Sequence, residues 1–202
     1  MKLVVQSFIS LDGVMQAPGG PEEDRDGGFA YGGWLAPFWS DEAGAVIGDS
    51  TSRMDALLLG RRTYDIFAAF WPNVGDEDDF AARARRVPKF VLSTTLTDPS
   101  WADTTVISAD VIARVAALKE LPGREIQVHG SASMVQSLLG TDGLVDELNI
   151  LQAPITLGTG KRLFPDGTRA RAYEVLERRG IANGVTHLRL APSGPVSTGS
   201  FG

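Results

Sequence analysis

Four short apolar runs in this chain stop abruptly on glycine or hydroxyl residues, and that repeated punctuation constrains the fold more than any other feature. Lys2–Ile9 ends in Ser10-Leu11-Asp12-Gly13, residues 56–59 in Gly60-Arg61-Arg62-Thr63, residues 89–92 in Ser93-Thr94-Thr95, and residues 126–128 in His129-Gly130-Ser131. The runs are dense in Val, Ile and Leu, as expected of strands covered on both faces. Further strands are expected at residues 105–107 and 144–153, and a hairpin from 171–179 and 184–190 turning at Asn183-Gly184, a strong two-residue turn signal.

Helical patterns fill the intervals. Residues 40–53 carry Ala43, Val46 and Ile47 on one face, with Ser40 or Asp41 as cap. The helix opening at Arg61 turns Ile66, Phe67 and Phe70 inward and ends at Pro72; residues 76–86 read as a charged, exposed helix, and 110–121 as an amphipathic one. After Gly130 the spacing of Ala132, Val135, Leu138 and Leu139 predicts a helix that Ser131 or Ser133 can cap and Gly140 can stop. Strands alternating with helices predict an α/β fold, a three-layer α/β/α domain whose central sheet is mostly parallel and closes in an antiparallel C-terminal hairpin. One domain over residues 1–192 and a flexible tail over 193–202 account for the whole length.

Ligands in open parallel sheets gather beyond the carboxyl ends of the strands, where the four punctuated strand ends lie. Residues 128–139, a strand, a glycine and a helix N-terminus, can cradle an anion, because bare backbone admits close approach and the helix dipole favours negative charge. The same stretch is also an ordinary strand-to-helix turn. Arg61 and Arg62 oppose the dipole of their own helix, which an anion between them would relieve; a solvated pair is the other reading. The segment 12–37, rich in Gly and Pro, holds Phe29, Tyr31 and Trp34; these aromatics either cover a flat ring or pin the loop to the body.

Composition removes several functions. Net charge is −6, against broad nucleic-acid binding. With no cysteine and only His129 and His187, no Cys- or His-rich metal site is expected. No apolar run reaches the ~20 residues of a membrane span, and the N-terminus has no signal-peptide layout, so a cytoplasmic protein without membrane contact is expected. Gly158-Thr159-Gly160-Lys161-Arg162 fails as a phosphate loop, since Ile155 and Arg162 stand where Gly and Ser/Thr are required, and as a dinucleotide fingerprint, since Leu163 replaces the third glycine. No Gly-x-Ser-x-Gly elbow occurs.

The four strand ends, together with Val145-Asp146-Glu147-Leu148 and Ala153-Pro154, make the chain resemble the dihydrofolate reductase-like fold family, in the bacterial branch of the riboflavin-biosynthesis reductase domain, from Leu3 to about Leu190. The resemblance implies an NADPH-dependent reductase that passes a hydride to a small heteroaromatic or carbonyl substrate, similar to the 5-amino-6-(5-phosphoribosylamino)uracil reductase and to dihydrofolate reductase. It implies Arg61 at the adenosine 2′-phosphate, Arg62 and Thr63 at the pyrophosphate, and Ser93 and Thr94 near the adenosine. It further implies that Gly60, closing the second strand end, belongs to the cofactor site, that Gly130, Ser131 and Ala132 form the pyrophosphate turn, and that Asp12 and Gly13 begin the loop over the nicotinamide. A homodimer through sheet edges is implied, with residues 144–153 and the C-terminal hairpin as candidates. Two departures stand out: the riboflavin reductases carry Glu-Gly-Gly where this chain has His129-Gly130-Ser131, and Asp41, Glu42 and Asp49 lack the neighbours of a pterin-binding acid. Asp12 and His129 are the candidate proton donors, Asp12 otherwise being a turn residue and His129 a packed histidine. A non-catalytic nucleotide-binding or dimerisation module on the same fold is the alternative.

Overall fold

A computed structural model describes residues 1–201. Eight strands form one sheet: β1 (Lys2–Ile9), β2 (Met54–Gly60), β3 (Lys89–Leu92), β4 (Thr104–Ile107), β5 (Glu125–Val128), β6 (Glu147–Gln152), β7 (Ala172–Gly180) and β8 (Thr186–Gly194), in the order β4-β3-β2-β5-β1-β6-β8-β7. All pairings from β4 to β6 are parallel, and β8 and β7 add antiparallel to β6. The expected mixed α/β architecture with its antiparallel hairpin is therefore the observed one.

Five helices cover the two faces: α1 (Asp41–Ser52), α2 (Arg61–Phe70), α3 (Asp79–Arg86), α4 (Val111–Lys119) and α5 (Ala132–Gly140). Alternation along β2 shows why the strand runs read as continuous apolar sequence. Ala56 and Leu58 join the cluster under α4 and α5 with Val115, Val135 and Leu138, while Leu57 and Leu59 join the opposite cluster with Tyr64, Phe80 and Ala84 of α2 and α3. A leucine fully buried in this way contributes roughly 1.5–3 kcal/mol.

Some expectations are corrected. The charged helix starts at Asp79 rather than Asp76 and buries Phe80, Ala81 and Ala84, so only one face is solvated. Phe70, expected inside, is 58% exposed, and Tyr64 is the buried residue of α2. Strand β8 continues to Gly194, pairing Pro192 with Tyr173, so the hairpin consumes the first residues assigned to the tail. The strand at residues 144–153 is interior, held between β1 and β8, and cannot serve as a sheet edge; the exposed edges are β4 and β7. No helix among the described residues is long and apolar enough to cross a membrane.

The segment between β1 and α1 is anchored rather than loose. Val14 bridges Arg162, Phe29 and Trp34 are buried, and the Trp34 indole donates to Gln16 O at 2.7 Å. These two aromatics pin the loop, and Tyr31, half exposed, packs edge-on against Phe29.

Candidate functional site

Two cavities open at the carboxyl end of the parallel strands. The larger, about 800 Å³, lies between the ends of β2, β3, β4 and the N-termini of α2, α4 and α5. Of the candidate cofactor residues, Gly60, Arg61, Arg62, Ser93, Thr94 and Ser131 line it, and the start of α4 (Asp110, Val111) joins them. The smaller, about 130 Å³, is lined by Thr63, His129, Gly130, Ala132 and again Arg62 and Ser131, together with Gln6, Glu23, Asp24 and Lys161. Asp12 and Gly13 line neither.

The shared wall of the cavities is a close backbone contact. Gly60 N donates to Gly130 O at 2.9 Å. A Cβ on Gly60 would stand 2.8 Å from Ser131 N, and one on Gly130, whose φ is +141°, would stand 2.7 Å from Thr63 Oγ1. Both glycines are thus dictated by approach and conformation. The Gly130–Ser131 peptide is cis. At the three helices that open here, no side chain caps the N-terminus: Gly60, Asp110 and Ser131 hold the cap positions without a side-chain bond. The expected capping by Ser131 or Ser133 is therefore not made. Free N–H groups and three converging dipoles make this end of the sheet attractive to an anion.

Arg61 is braced rather than free in solvent. Its Nε donates to both oxygens of Asp65 at 2.9 Å, and Nη1 to Thr95 Oγ1 at 3.3 Å, which holds the guanidinium over the end of β3. Arg62 differs from expectation. Its Nη1 meets Asp24 at 3.0 Å and Asp26 at 2.8 Å, and Lys161 Nζ meets the same carboxylates at 2.7 and 2.9 Å. Hydrogen bonds from Lys161, then from Arg62, pull the Asp26 pKa down to about 2. Two cations and two anions thus form a closed set tying the long loop to α2 and to the loop after β6.

The two candidate proton donors fare differently from one another. Asp12 accepts from Ser10 Oγ at 2.6 Å, Leu157 N at 3.1 Å and Gly158 N at 2.8 Å. The Ser10 hydroxyl above all lowers its pKa to about 2, so Asp12 is an ionised turn residue joining two loops. His129 sits against Phe67 and Phe80, ring centroids 5.8 and 5.1 Å away, and burial pushes its pKa down to about 4. The imidazole is therefore held in its neutral form at pH 7. Its Nε2 is buried without a hydrogen-bond partner.

Gln6 escaped the sequence reading. It lies on the α1 face of β1, 5% exposed, and donates from Nε2 to Ser50 Oγ at 2.5 Å. Gln127 and Asn149, on the flanking strands, donate to the same oxygen at 3.2 Å each. Oε1 of Gln6 has no partner. The available signal was a lone Gln inside an apolar strand, since a buried amide requires partners.

This sheet order and cleft place the protein in the dihydrofolate reductase-like fold class. The chain belongs to the family of the RibD C-terminal domain, whose model matches residues 1–189. It is 25% identical over 194 residues to the uncharacterised protein YyaP of Bacillus subtilis (strain 168), covering 93% of each chain. Among solved structures it is similar to a Shewanella sp. PV-4 protein assigned provisionally to riboflavin biosynthesis, with TM-score 0.72, 22% identity, and 96% and 99% of the two chains covered. It is also similar to a pyrimidine reductase-like protein from Corynebacterium diphtheriae, with TM-score 0.61, 12% identity, and 95% and 92% covered. These two likenesses bear on the fold alone.

Proposed function

We propose that this protein is an NADPH-dependent reductase of a small heteroaromatic or carbonyl compound, acting in the cytoplasm. The observation that carries the reading is the larger cavity, where three helix N-termini without side-chain caps meet around the Gly60–Gly130 contact. Its chemistry fits a dinucleotide. N–H groups of α5 and the Gly130-Ser131-Ala132 turn would hold the pyrophosphate. Ser93 and Thr94 would flank the adenosine, and Arg61 would bind the 2′-phosphate through its fork of donors. Bound NADPH supplies the hydride. The chain's own part is to seat the nicotinamide against the smaller cavity, beside Thr63, His129 and Ala132, and to exclude water around it. With His129 neutral and Asp12 ionised elsewhere, the proton would come from water or from Glu23, which lines the smaller cavity and whose carboxyl pKa is raised by burial. The test is fluorescence titration with NADPH and NADH: NADPH is expected to bind more tightly, and absence of binding by either overturns the reading.

Binding without turnover is the second reading, favoured by Asp12 lying outside both cavities and being held ionised by its hydrogen bonds. Turnover on a panel of pterins, flavins and quinones decides against it. A homodimer through the β7 edge is also proposed, because Val175 and Leu176 there are 58% and 43% exposed; a clean monomer in gel filtration with light scattering removes it.

A further inference from the structure

The smaller cavity contains charge, yet offers none to a ligand. Its cations are Arg62 and Lys161, and each is already engaged by both Asp24 and Asp26 at 2.7–3.0 Å. Asp24 is the more enclosed of the pair, with 13% of its side chain exposed, so this neutralisation is only partly screened by water. His129, the other basic group lining the cavity, is neutral at pH 7. Glu23 adds a carboxyl group, its Oε2 accepting from Gly19 N at 2.6 Å. An anionic substituent entering here would lose its water, find no unpaired cation among the lining residues, and face the carboxyl groups of Glu23 and Asp24, with Asp26 behind them holding the same two cations.

What the cavity does leave open is neutral hydrogen bonding. Oε1 of Gln6 and Nε2 of His129 are both buried and both without a partner, and both residues line this one cavity. Ser50 fixes the Gln6 carboxamide from the far side. A buried polar atom with no partner is costly, a cost that a ligand recovers by donating a polar hydrogen to Gln6 Oε1 and by pairing a carbonyl or N–H with His129 Nε2 according to its tautomer. Size agrees: about 130 Å³ is well short of the roughly 300–1,000 Å³ of pockets for drug-sized ligands.

We infer that the smaller cavity selects a small, uncharged, polar ring compound as hydride acceptor and rejects phosphorylated or otherwise anionic ones, with the Asp24–Asp26 pair as the rejecting element and Gln6 and His129 as the recognising one. The inference rests on the reductase reading and narrows its substrate class away from the phosphoribosyl compound that the family resemblance implies.

The probe is a matched pair, 1,4-naphthoquinone and its 2-sulfonate, titrated calorimetrically into the full-length protein saturated with NADP⁺. The neutral quinone is expected to bind at least about tenfold more tightly. In the turnover arm with NADPH, the quinone takes one hydride and one proton from water to give the hydroquinone and NADP⁺, with the same preference in kcat/KM. Asp24→Asn with Asp26→Asn frees Arg62 and Lys161, and is expected to shift the ratio toward the sulfonate by about tenfold or more. Asp26→Asn alone, at the exposed half of the pair, is expected to shift it severalfold and serves if the double variant does not fold. Equal or tighter binding of the sulfonate by the wild type, binding of neither compound, or an unchanged ratio in a folded variant overturns the inference. Failure of NADPH to bind is separate: it removes the reductase reading, and the pair is then titrated into the free protein under the same criteria.

Discussion

The two cavities share Arg62 and Ser131 but treat polarity in opposite ways. Around the larger one the chain withholds its own partners: α2, α4 and α5 begin without a side-chain cap. The two helices that begin elsewhere are both capped, α1 by Ser40 Oγ accepting from Ala43 N at 3.2 Å and α3 by Asp78 Oδ1 accepting from Ala81 N at 2.8 Å. Around the smaller cavity the charged groups are satisfied internally, and only two neutral atoms are left over. A surface built to receive a polyanion keeps its donors free; one built to receive a neutral ring cancels its charges beforehand.

The largest way to break this contrast is to fill the wall between the cavities. Gly60→Ala places a methyl 2.8 Å from Ser131 N, and overpacking of this kind costs roughly 1–3 kcal/mol. Fluorescence titration is expected to show NADPH affinity falling by about a hundredfold at the upper end of that range, with a lowered melting temperature. Unchanged affinity would mean that the cradle is not where the dinucleotide binds.

The smaller cavity is sharpened by pH. Burial holds His129 near 4, below its ordinary 6.5, so the unfolded chain takes up a proton that the folded one refuses. Its contribution is fully present above pH 6.5 and is lost as pH falls toward 4, by up to about 3 kcal/mol. Denaturant titrations at pH 7 and pH 4.5 are expected to show a smaller difference for His129→Phe than for the wild type. Equal pH dependence of the two would show an imidazole that is solvated rather than buried.

Arg61→Ala tests the cation left for the larger cavity. A charged hydrogen bond is worth about 1.5–3 kcal/mol, and NADPH affinity is expected to drop by about tenfold or more while NADH affinity changes little, as read by the same titration. A parallel loss for both nucleotides would move the 2′-phosphate away from Arg61.

Much of the fold was legible because strand burial and helix periodicity are local properties. β2, β3 and β5 declare themselves through apolar runs, and the Gly130 turn through its glycine followed by an apolar helical stripe. What escaped depends on partners distant in sequence. The pairing of Arg62 with Asp24 spans 38 positions, so no local pattern separates it from a free arginine waiting for phosphate. Lys89 is the exception: fully buried, it donates to Ala84 O and Val87 O at 3.0 and 2.8 Å, acceptors close in sequence that only the folded end of α3 aims at it, and it lies 4.9 Å from the Trp101 ring. Asp12 could be read as acid or turn residue until the 154–164 loop was seen delivering its N–H groups to it. The candidate site was legible where backbone shape defines it, at Gly60, Gly130 and Ser131, and illegible where side-chain charges cancel across the cavity.

The smallest expected effect is the most direct check on the opening contrast. Ser40→Ala removes a cap that is made, and Ser131→Ala removes a hydroxyl that caps nothing. Loss of an N-cap costs about 1 kcal/mol, so Ser40→Ala is expected to lower the unfolding free energy by that amount in urea titration and to leave NADPH binding alone. Ser131→Ala is expected to do the reverse, with stability held and NADPH affinity reduced by severalfold, about what one neutral hydrogen bond contributes. If Ser131→Ala instead destabilised the chain as much as Ser40→Ala, the hydroxyl would be serving its own helix, and the free N-terminus of α5 would lose its standing as an anion site.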